Sequence, residues 1–410
     1  MRPGWRFDMY EGGVPSGAAP RYSILMFIDG LGSGGAQRQF SHLARGLAGR
    51  GHQVTVAVYN DQDHFAGEIL KAGVSIVRLP KPSRVSPRPI FALGRLYRRC
   101  SAQVAIAFLR SPAAKAELAR LMFPEMKVIA AERTVYPRSP LPLVLRLTQS
   151  LHHLARFITV NSYSQSRAMK REFPGLATRI TTIRNGIDMP KAAARPAPAD
   201  RGELRLVAVS SLMPYKNSVR LAEALAVLRD EQHLRVTLTW VGETFEHMPQ
   251  YGTYHQTCER IRVLGLEDQW RWLGVRQDVS RLLAEHDGLV HPSLFEGTSN
   301  AVCEAMALGV PVLAGNIADH EDMLRRTGAG LLFDPLDVRS IANAIAKFAS
   351  LDASSRRDMG RRGRKLIEDH YGFDQMVTGY EILARAAAQG DKHLPCALLN
   401  DDARLPSCAE

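Results

Sequence analysis

The 410-residue chain has little cysteine, few aromatic residues and no long apolar run, and each shortage excludes a class of protein. Its five cysteines, Cys100, Cys258, Cys303, Cys396 and Cys408, are odd in number, scattered, and form no Cys-x-x-Cys pair. That spacing excludes a disulfide framework and a zinc knuckle and predicts a reducing compartment. No uninterrupted apolar stretch approaches the roughly 20 residues needed to span a bilayer. Residues 1–20 are rich in Gly and Pro and hold no apolar core of a signal peptide, so a cytoplasmic protein is expected. Internal repeats are absent as well. Acidic residues are scarce in one half only. Residues 1–190 carry 27 Lys+Arg against 11 Asp+Glu, a balance of +16, while the remainder carries 26 against 30, or −4. A basic first half suits nucleic acid, an anionic membrane face or a phosphate-bearing acceptor, and charge alone does not choose among them.

What is present is an alternating α/β pattern. Tyr22–Ile28, Val54–Val58, Val104–Phe108, Lys127–Ala131 and Phe157–Val160 read as strands, with helical periods such as Ala36–Arg50 between them. The second half repeats the scheme with Leu204–Val209, Arg235–Val241, Trp270–Leu273, Gly288–His291 and Val310–Ala314, and with helices over Asn217–Arg229 and Ser299–Leu308. Such alternation predicts parallel sheets with crossover helices, hence two Rossmann-like domains. The break falls at Pro190–Asp200, where three Pro and five Ala mark a linker. The expected division is an unstructured extension over 1–20, a first domain over 21–189, a linker over 190–201 and a second domain over 202–370. A periodic helix over 371–388 follows the second domain, and 389–410 is an unstructured tail.

The strongest chemical signal is His291-Pro-Ser-Leu-Phe-Glu296-Gly-Thr-Ser-Asn300-Ala-Val-Cys-Glu304-Ala-Met-Ala-Leu-Gly309. A strand ends near His291, a tight turn is expected at Gly297, and a helix at about Thr298 or Ser299. The unpaired N–H groups and partial positive charge of a helix N-terminus suit a diphosphate. Ligands of open parallel sheets bind at this carboxyl edge. Glu296 before the turn and Glu304 within the helix then stand on either side of such a group. The plain alternative is a capped helix packing its Ala-Met-Ala face into the core.

This segment resembles the signature of the family-4 retaining glycosyltransferases. The resemblance implies their GT-B fold, in which two Rossmann-like domains face each other across a cleft and the C-terminal helix, here 371–388, crosses back to the N-terminal domain. Other stretches share the likeness in the same order: Gly34-Gly-Ala-Gln-Arg38, Val160-Asn-Ser162, Arg184-Asn185-Gly186-Ile187-Asp188, Val209 through Lys216-Asn217, Trp272-Leu-Gly274-Val-Arg-Gln-Asp278 and Gly328-Ala-Gly330-Leu-Leu-Phe. The resemblance covers about residues 22–388 and implies transfer of a sugar from a nucleotide-diphosphate donor to a glycan or lipid-linked acceptor. It places Glu304 on the ribose hydroxyls, and Glu296 on the donor sugar beside the anomeric carbon. The amides of Gly297, Thr298, Ser299, Asn300 and Ala301 would hold the diphosphate, clamped by Lys216. Gly34 and Gly35 would let the first domain's loop approach the phosphates. The nucleotide-sugar is a co-substrate, and no metal or other cofactor is expected.

Two departures qualify the likeness. The family often has Arg two residues beyond the strand valine, where this chain has Ser211. Many members carry His after the fourth strand, where this chain reads Phe108-Leu-Arg110-Ser111. Arg110 or Arg133 is the candidate to substitute, with an ion pair inside the domain as the alternative. Asp61-Gln-Asp63 imitates a metal-binding Asp-x-Asp but reads as solvated loop acids, and His52 as a structural residue. The basic, partly apolar stretches Lys81–Arg99 and Leu141–Phe157 suggest peripheral contact with an anionic membrane. The second stretch reads equally as a crossover helix. The competing function is a catalytically weak nucleotide-sugar-binding partner subunit of the same fold. An epimerase fits less of the chain, and the basic half carries no recognised nucleic-acid module.

Overall fold

The computed structural model describes residues 21–81, 87–133, 143–190, 203–248 and 253–402. The expected extension 1–20 and most of the linker lie outside these residues. In the first domain, β1 (Ser23–Phe27), β2 (Gln53–Val58), β3 (Ser75–Arg78), β4 (Val104–Phe108), β5 (Val128–Ala131), β6 (Phe157–Val160) and β7 (Ile180–Thr182) form one parallel sheet in the order β3-β2-β1-β4-β5-β6-β7. Its helices are α1 (Gly35–Gly49), α2 (Ala66–Lys71), α3 (Arg88–Arg99), α4 (Arg110–Met122), α5 (Leu143–Ser150) and α6 (Tyr163–Glu172). In the second domain, β8 (Leu204–Val209), β9 (Val236–Val241), β10 (Trp270–Trp272), β11 (Gly288–His291), β12 (Val312–Gly315) and β13 (Gly330–Phe333) pair in parallel in the order β10-β9-β8-β11-β12-β13. Its helices are α7 (Ser218–Gln232), α8 (Thr253–Val263), α9 (Val279–Glu285), α10 (Asn300–Ala307), α11 (Val338–Ala349) and α12 (Ala353–His370), and α13 (Phe373–Gln389) follows. The two-domain α/β reading therefore stands.

The period-two alternation of a strand decides how each sheet is covered. Ile24 and Met26 face Phe40, Leu43 and Leu47 of α1 together with Val377, Tyr380 and Leu383 of α13. Leu25 and Phe27 face the other way, onto Leu93 of α3 and Ala113 and Ala116 of α4. In the second domain, Leu206 and Ala208 pack on α7 and α11 while Val207 and Leu289 pack on α10 and α12. Both faces of the central strands are thus buried, and those strands read as near-continuous apolar runs.

The chain crosses back between domains at the junction of α12 and α13. Ile187 receives the turn there: its N–H donates to Tyr371 O at 2.8 Å, and Phe373 N–H donates to Ile187 O at 3.2 Å. The last periodic segment is therefore a separate helix with its own start after Gly372. Burying Val377, Tyr380 and Leu383 on the first sheet contributes on the order of 1.5–3 kcal/mol per side chain, an upper bound. Gly46 permits that approach, because a Cβ there would run into Val377 and Phe373.

Several expectations on element ends need correction. The stretch Val310–Ala314 pairs only from Val312, since Pro311 has no N–H for the ladder. β3, β7 and β13 are short and all three are sheet edges; β3 and β7 are also of mixed polarity, too brief to show a period. The tail does not begin at 389. Residues 390–402 continue, with Cys396–Asp402 in a 3-10 turn; Leu394 and Leu398 join the core below α13, and Thr181 Oγ1 donates to Leu398 O at 3.2 Å. Two apolar side chains at an uncovered sheet margin are enough to hold this segment down.

Candidate functional site

The site begins at the carboxyl end of β11. The chain leaves the sheet at His291, passes Pro292 and Ser293, and reaches Glu296 before α10 starts at Asn300. Ser299 occupies the N-cap position without a side-chain cap, so the first amides of α10 have no local acceptor. The helix starts at Asn300, one or two residues later than the expected Thr298 or Ser299, and both of these lie before it. The tight turn expected at Gly297 is also corrected. Gly297 does not have a left-handed backbone; it is glycine because a Cβ would strike the Asn161 side chain of the opposite domain.

Lys216 arrives from the turn after β8. Asn217 holds that turn with φ at +62° while its Nδ2 donates to Pro292 O (3.1 Å) and Pro335 O (2.7 Å). The Lys216 ammonium ion-pairs with Glu296, and His291 Nε2 lies 3.2 Å from Glu296 Oε1. Burial by itself would raise the Glu296 carboxyl, but His291 and the Lys216 charge outweigh it and hold the carboxyl well below the usual range. His291 and His320 stack edge to face at 6.0 Å; burial keeps both imidazoles neutral, His320 down to about 4. Behind Glu296, then, stands a buried and largely preset shell.

Glu304 differs. It sits at the second turn of α10 and pairs with Arg38, from the first turn of α1 across the cleft. Around this pair the two helix starts abut: Asn300 Nδ2 donates to Gly35 O at 3.1 Å, and Gln39 Nε2 to Asn300 Oδ1 at 3.2 Å. Gly34 is the N-cap of α1 and Gly35 its first residue, both exposed at the cleft. Two helix N-termini, Lys216 and Arg38 therefore converge on one place, an arrangement suited to a diphosphate. Ala301 is buried at the same helix start.

A polar seam locks the domains around this point. Asn185 Nδ2 donates to Asn300 Oδ1 (2.7 Å) and to Thr298 O (3.1 Å), and Thr298 Oγ1 donates to Asn161 O (2.6 Å). Farther along, Asp319 of the second domain accepts from Tyr163 N–H (2.6 Å) and Ser164 N–H (2.8 Å), capping α6 of the first.

The other named residues separate. Arg133 turns inward: it donates to Asn185 Oδ1 at 2.8 Å and to Tyr380 OH, and stacks 4.7 Å over Phe108. It holds Asn185 for the seam rather than facing a ligand, and its partners are neutral, not the expected ion pair. Arg110 opens α4 at the cleft edge, after Leu109 at φ +73°. Ser211 is exposed at the end of β8. Asp61 and Asp63 pair with Lys81 and Arg78, and His52 is buried between Tyr22 N–H and Glu381. Among the described residues no group of His, Cys, Asp and Glu is arranged as a metal site.

Residues without an assigned role in sequence prove to be contacts: Arg38, His291, Asn161, Asn185 and Asp319. Arg38 carried a signal. A cation in the first turn of a helix opposes the helix dipole, and the turn holds no acid, so a carboxylate partner elsewhere was implied. The seam residues act across domains and carry no such local signal.

Comparison with known proteins adds the following. The family profile described as Glycosyltransferase Family 4 matches residues 33–190, and that described as Glycosyl transferases group 1 matches residues 203–350. A GDP-mannose-dependent alpha-(1-6)-phosphatidylinositol monomannoside mannosyltransferase of Mycobacterium tuberculosis is 27% identical over 378 residues, 84% of this chain and 93% of the relative. A putative colanic acid biosynthesis glycosyltransferase of Escherichia coli is 24% identical over half of each chain. Against this and several other curated relatives the chain spans about half their length. Among solved structures, Anabaena HepE in complex with UDP-glucose has a TM-score of 0.77 at 18% identity, covering 89% of this chain and all of that one. A Rickettsia africae glycosyltransferase has a TM-score of 0.77 at 17% identity, covering 91% of this chain and all of that one.

Proposed function

This chain belongs to the group-1, family-4 glycosyltransferases of GT-B fold, and from that premise we propose that it moves a sugar from a nucleotide-diphosphate donor to a hydroxyl of a glycan or lipid-linked glycan, with retention at the anomeric carbon. The observation that carries this reading is the convergence of Glu296, Glu304, Lys216 and Arg38 on the facing starts of α1 and α10. Glu304 takes the ribose hydroxyls, the amides from Gly297 to Ala301 take the diphosphate, and Glu296 takes the donor sugar and supports positive charge at its anomeric carbon. On the same face of the sugar, the bond to the diphosphate oxygen breaks as the acceptor oxygen bonds to carbon. The leaving phosphate oxygen takes the acceptor's proton, so no separate base and no metal are required. Catalysis is then mainly positioning and charge stabilisation in a closed cleft.

The mycobacterial relative is GDP-mannose-dependent and HepE was solved in complex with UDP-glucose, so GDP- and UDP-sugars are the first donors to test. No helix among the described residues is long and apolar enough to cross a membrane. Contact with an anionic lipid surface is consistent with Leu143 and Leu147, both exposed on α5 beside Arg146. Part of each stretch expected to make it, 82–86 in the first and 141–142 in the second, lies outside the described residues.

Thermal-shift titration against UDP-, GDP- and ADP-sugars tests the donor reading. A ligand of the folded state stabilises by about 2.7 kcal/mol at a hundred times its Kd. One nucleotide class should raise Tm by several degrees and release free nucleotide slowly on incubation. No shift with any of the three contradicts the assignment.

A further inference from the structure

The first domain has a sheet edge of its own that the donor reading leaves unused. Its strand order turns outward in opposite directions from β1 and β4, the first leading to β2 and the second to β5. Connections leaving such a pair go to opposite sides, so a crevice opens beyond their carboxyl ends. Four side chains from three connections meet there: Asp29 after β1, Tyr59 after β2, and Ser111 and Lys115 in the first turns of α4. The chain is bent to put them there. Leu109 takes φ +73°, unusual for a residue with a branched side chain, and is held by its N–H to Ala131 O (3.0 Å) and by Ala113 N–H to its carbonyl (2.9 Å).

The partners within the crevice are incomplete. Lys115 Nζ donates to Ser111 Oγ at 2.6 Å and to Ser111 O at 3.3 Å, and lies 5.0 Å above the Tyr59 ring. Tyr59 OH is 3.2 Å from Ser111 Oγ. An ammonium has three N–H donors, and no carboxylate among the described residues is in contact with this one. Burial lowers the Lys115 pKa, with the charge of Asp29 opposing. A half-buried cation whose direct contacts are all neutral, with Asp29 acting on it only at a distance, still gains from an incoming anion. Asp29, by contrast, is a hydroxyl acceptor in waiting: one oxygen takes Gly30 N–H (2.8 Å) and Gln37 Nε2 (3.3 Å). Gln37 also adjoins Arg38, so one turn of α1 touches both this crevice and the Glu304 end of the donor edge.

We propose that this crevice is an acceptor subsite for a sugar bearing an anionic group, phosphate or carboxylate, with Lys115 on the anion and Asp29 on a hydroxyl. The surplus of 27 Lys+Arg over 11 Asp+Glu in residues 1–190 draws such a ligand to this domain. Its role as an acceptor rests on the glycosyltransferase reading; its charge preference does not.

The test is calorimetric titration of the full chain with glucose 1-phosphate, glucuronate and methyl glucoside. A saturating nucleoside diphosphate occupies the donor edge throughout. One or both anionic sugars should bind at least tenfold tighter than the neutral glycoside. Lys115→Met should erase that preference to within twofold, Lys115→Arg should retain it, and nucleoside diphosphate affinity should stay within twofold of wild type in both. Asp29→Asn should weaken all three sugars while keeping the preference, which guards against a misfolded Met variant deciding the matter. Equal binding of charged and neutral sugars by wild type, or an undiminished preference in Lys115→Met, overturns the subsite. A wild type that binds no nucleoside diphosphate instead refutes the donor reading, and the sugars titrated alone still judge the crevice.

Discussion

The two glutamates of the donor segment are held in opposite ways. Glu296 is gripped inside its own domain, by Lys216 and beside His291, with every member of the group largely buried. Glu304 is gripped from outside, by Arg38 of the facing domain, in a pair whose side chains are 35% and 21% exposed. The first grip survives any movement between domains. The second exists only while the cleft is closed. One end of the site is thus preset and the other conditional, which suits a ligand that enters an open cleft and is then enclosed.

The largest effect should come from the preset end. Glu296→Gln keeps the shape and removes the charge, and kcat should fall by about 10²–10³, in the range seen when one transition-state stabiliser is lost. Nucleotide affinity should change less than threefold. Glu304→Ala should reverse the pattern: nucleotide Kd rises on the order of ten- to a hundredfold, the worth of about 1.5–3 kcal/mol for hydrogen bonds to a charged group. Single-turnover kinetics with separate binding titrations distinguish the two. If both variants lose binding equally, the division between the ends fails.

A pair of double-mutant cycles measures the grips themselves. Removing Lys216 and Glu296 singly and together should give a coupling of about 1–3 kcal/mol in unfolding free energy, as contacting residues in one network do. The Arg38–Glu304 cycle should give no more than about 0.2–1 kcal/mol, because solvent reaches that pair. Raising salt should shrink the second coupling and leave the first nearly intact. A larger coupling across the cleft would make the closed state a permanent one.

The contrast also explains what a reader of the sequence sees. Glu296, Gly297 and Glu304 lie in one strand–loop–helix unit, so local spacing almost dictates their relative placement. Lys216 is 80 residues away yet legible, because it too follows a strand at the same sheet edge. Asn161, Asn185 and Asp319 depend on how two domains dock, and no local period encodes that. Gly297 shows the limit: its glycine is explained by Asn161 across the cleft, not by its own turn. Arg133 fails for the same reason, since its basic character suggested a ligand while Phe108, Tyr380 and Asn185 had already enclosed it. Short edge strands such as β3 and β7, and the segment after α13, are decided by tertiary cover rather than by period.

The pH dependence of stability separates the preset end's two kinds of buried group. The Glu296 carboxyl is depressed in the folded state, so its contribution is present above the unfolded value of about 4.3 and fades only as pH falls toward the much lower folded one. Nothing from Glu296 should therefore register between pH 7.5 and 5.5. His320 behaves differently. Burial lowers its folded pKa to about 4, below the ordinary 6.5, so the unfolded chain binds a proton that the folded chain refuses. Stability is then lost as pH falls below 6.5, by about 1 kcal/mol between pH 7.5 and 5.5 from this one group. Urea unfolding of the wild type, Glu296→Gln and His320→Asn across that window decides the matter. The His320 variant should flatten the slope, and the Glu296 variant should leave it unchanged. A slope that instead follows Glu296 would mean its carboxylate is not held ionised by Lys216, and the preset grip would have to be given up.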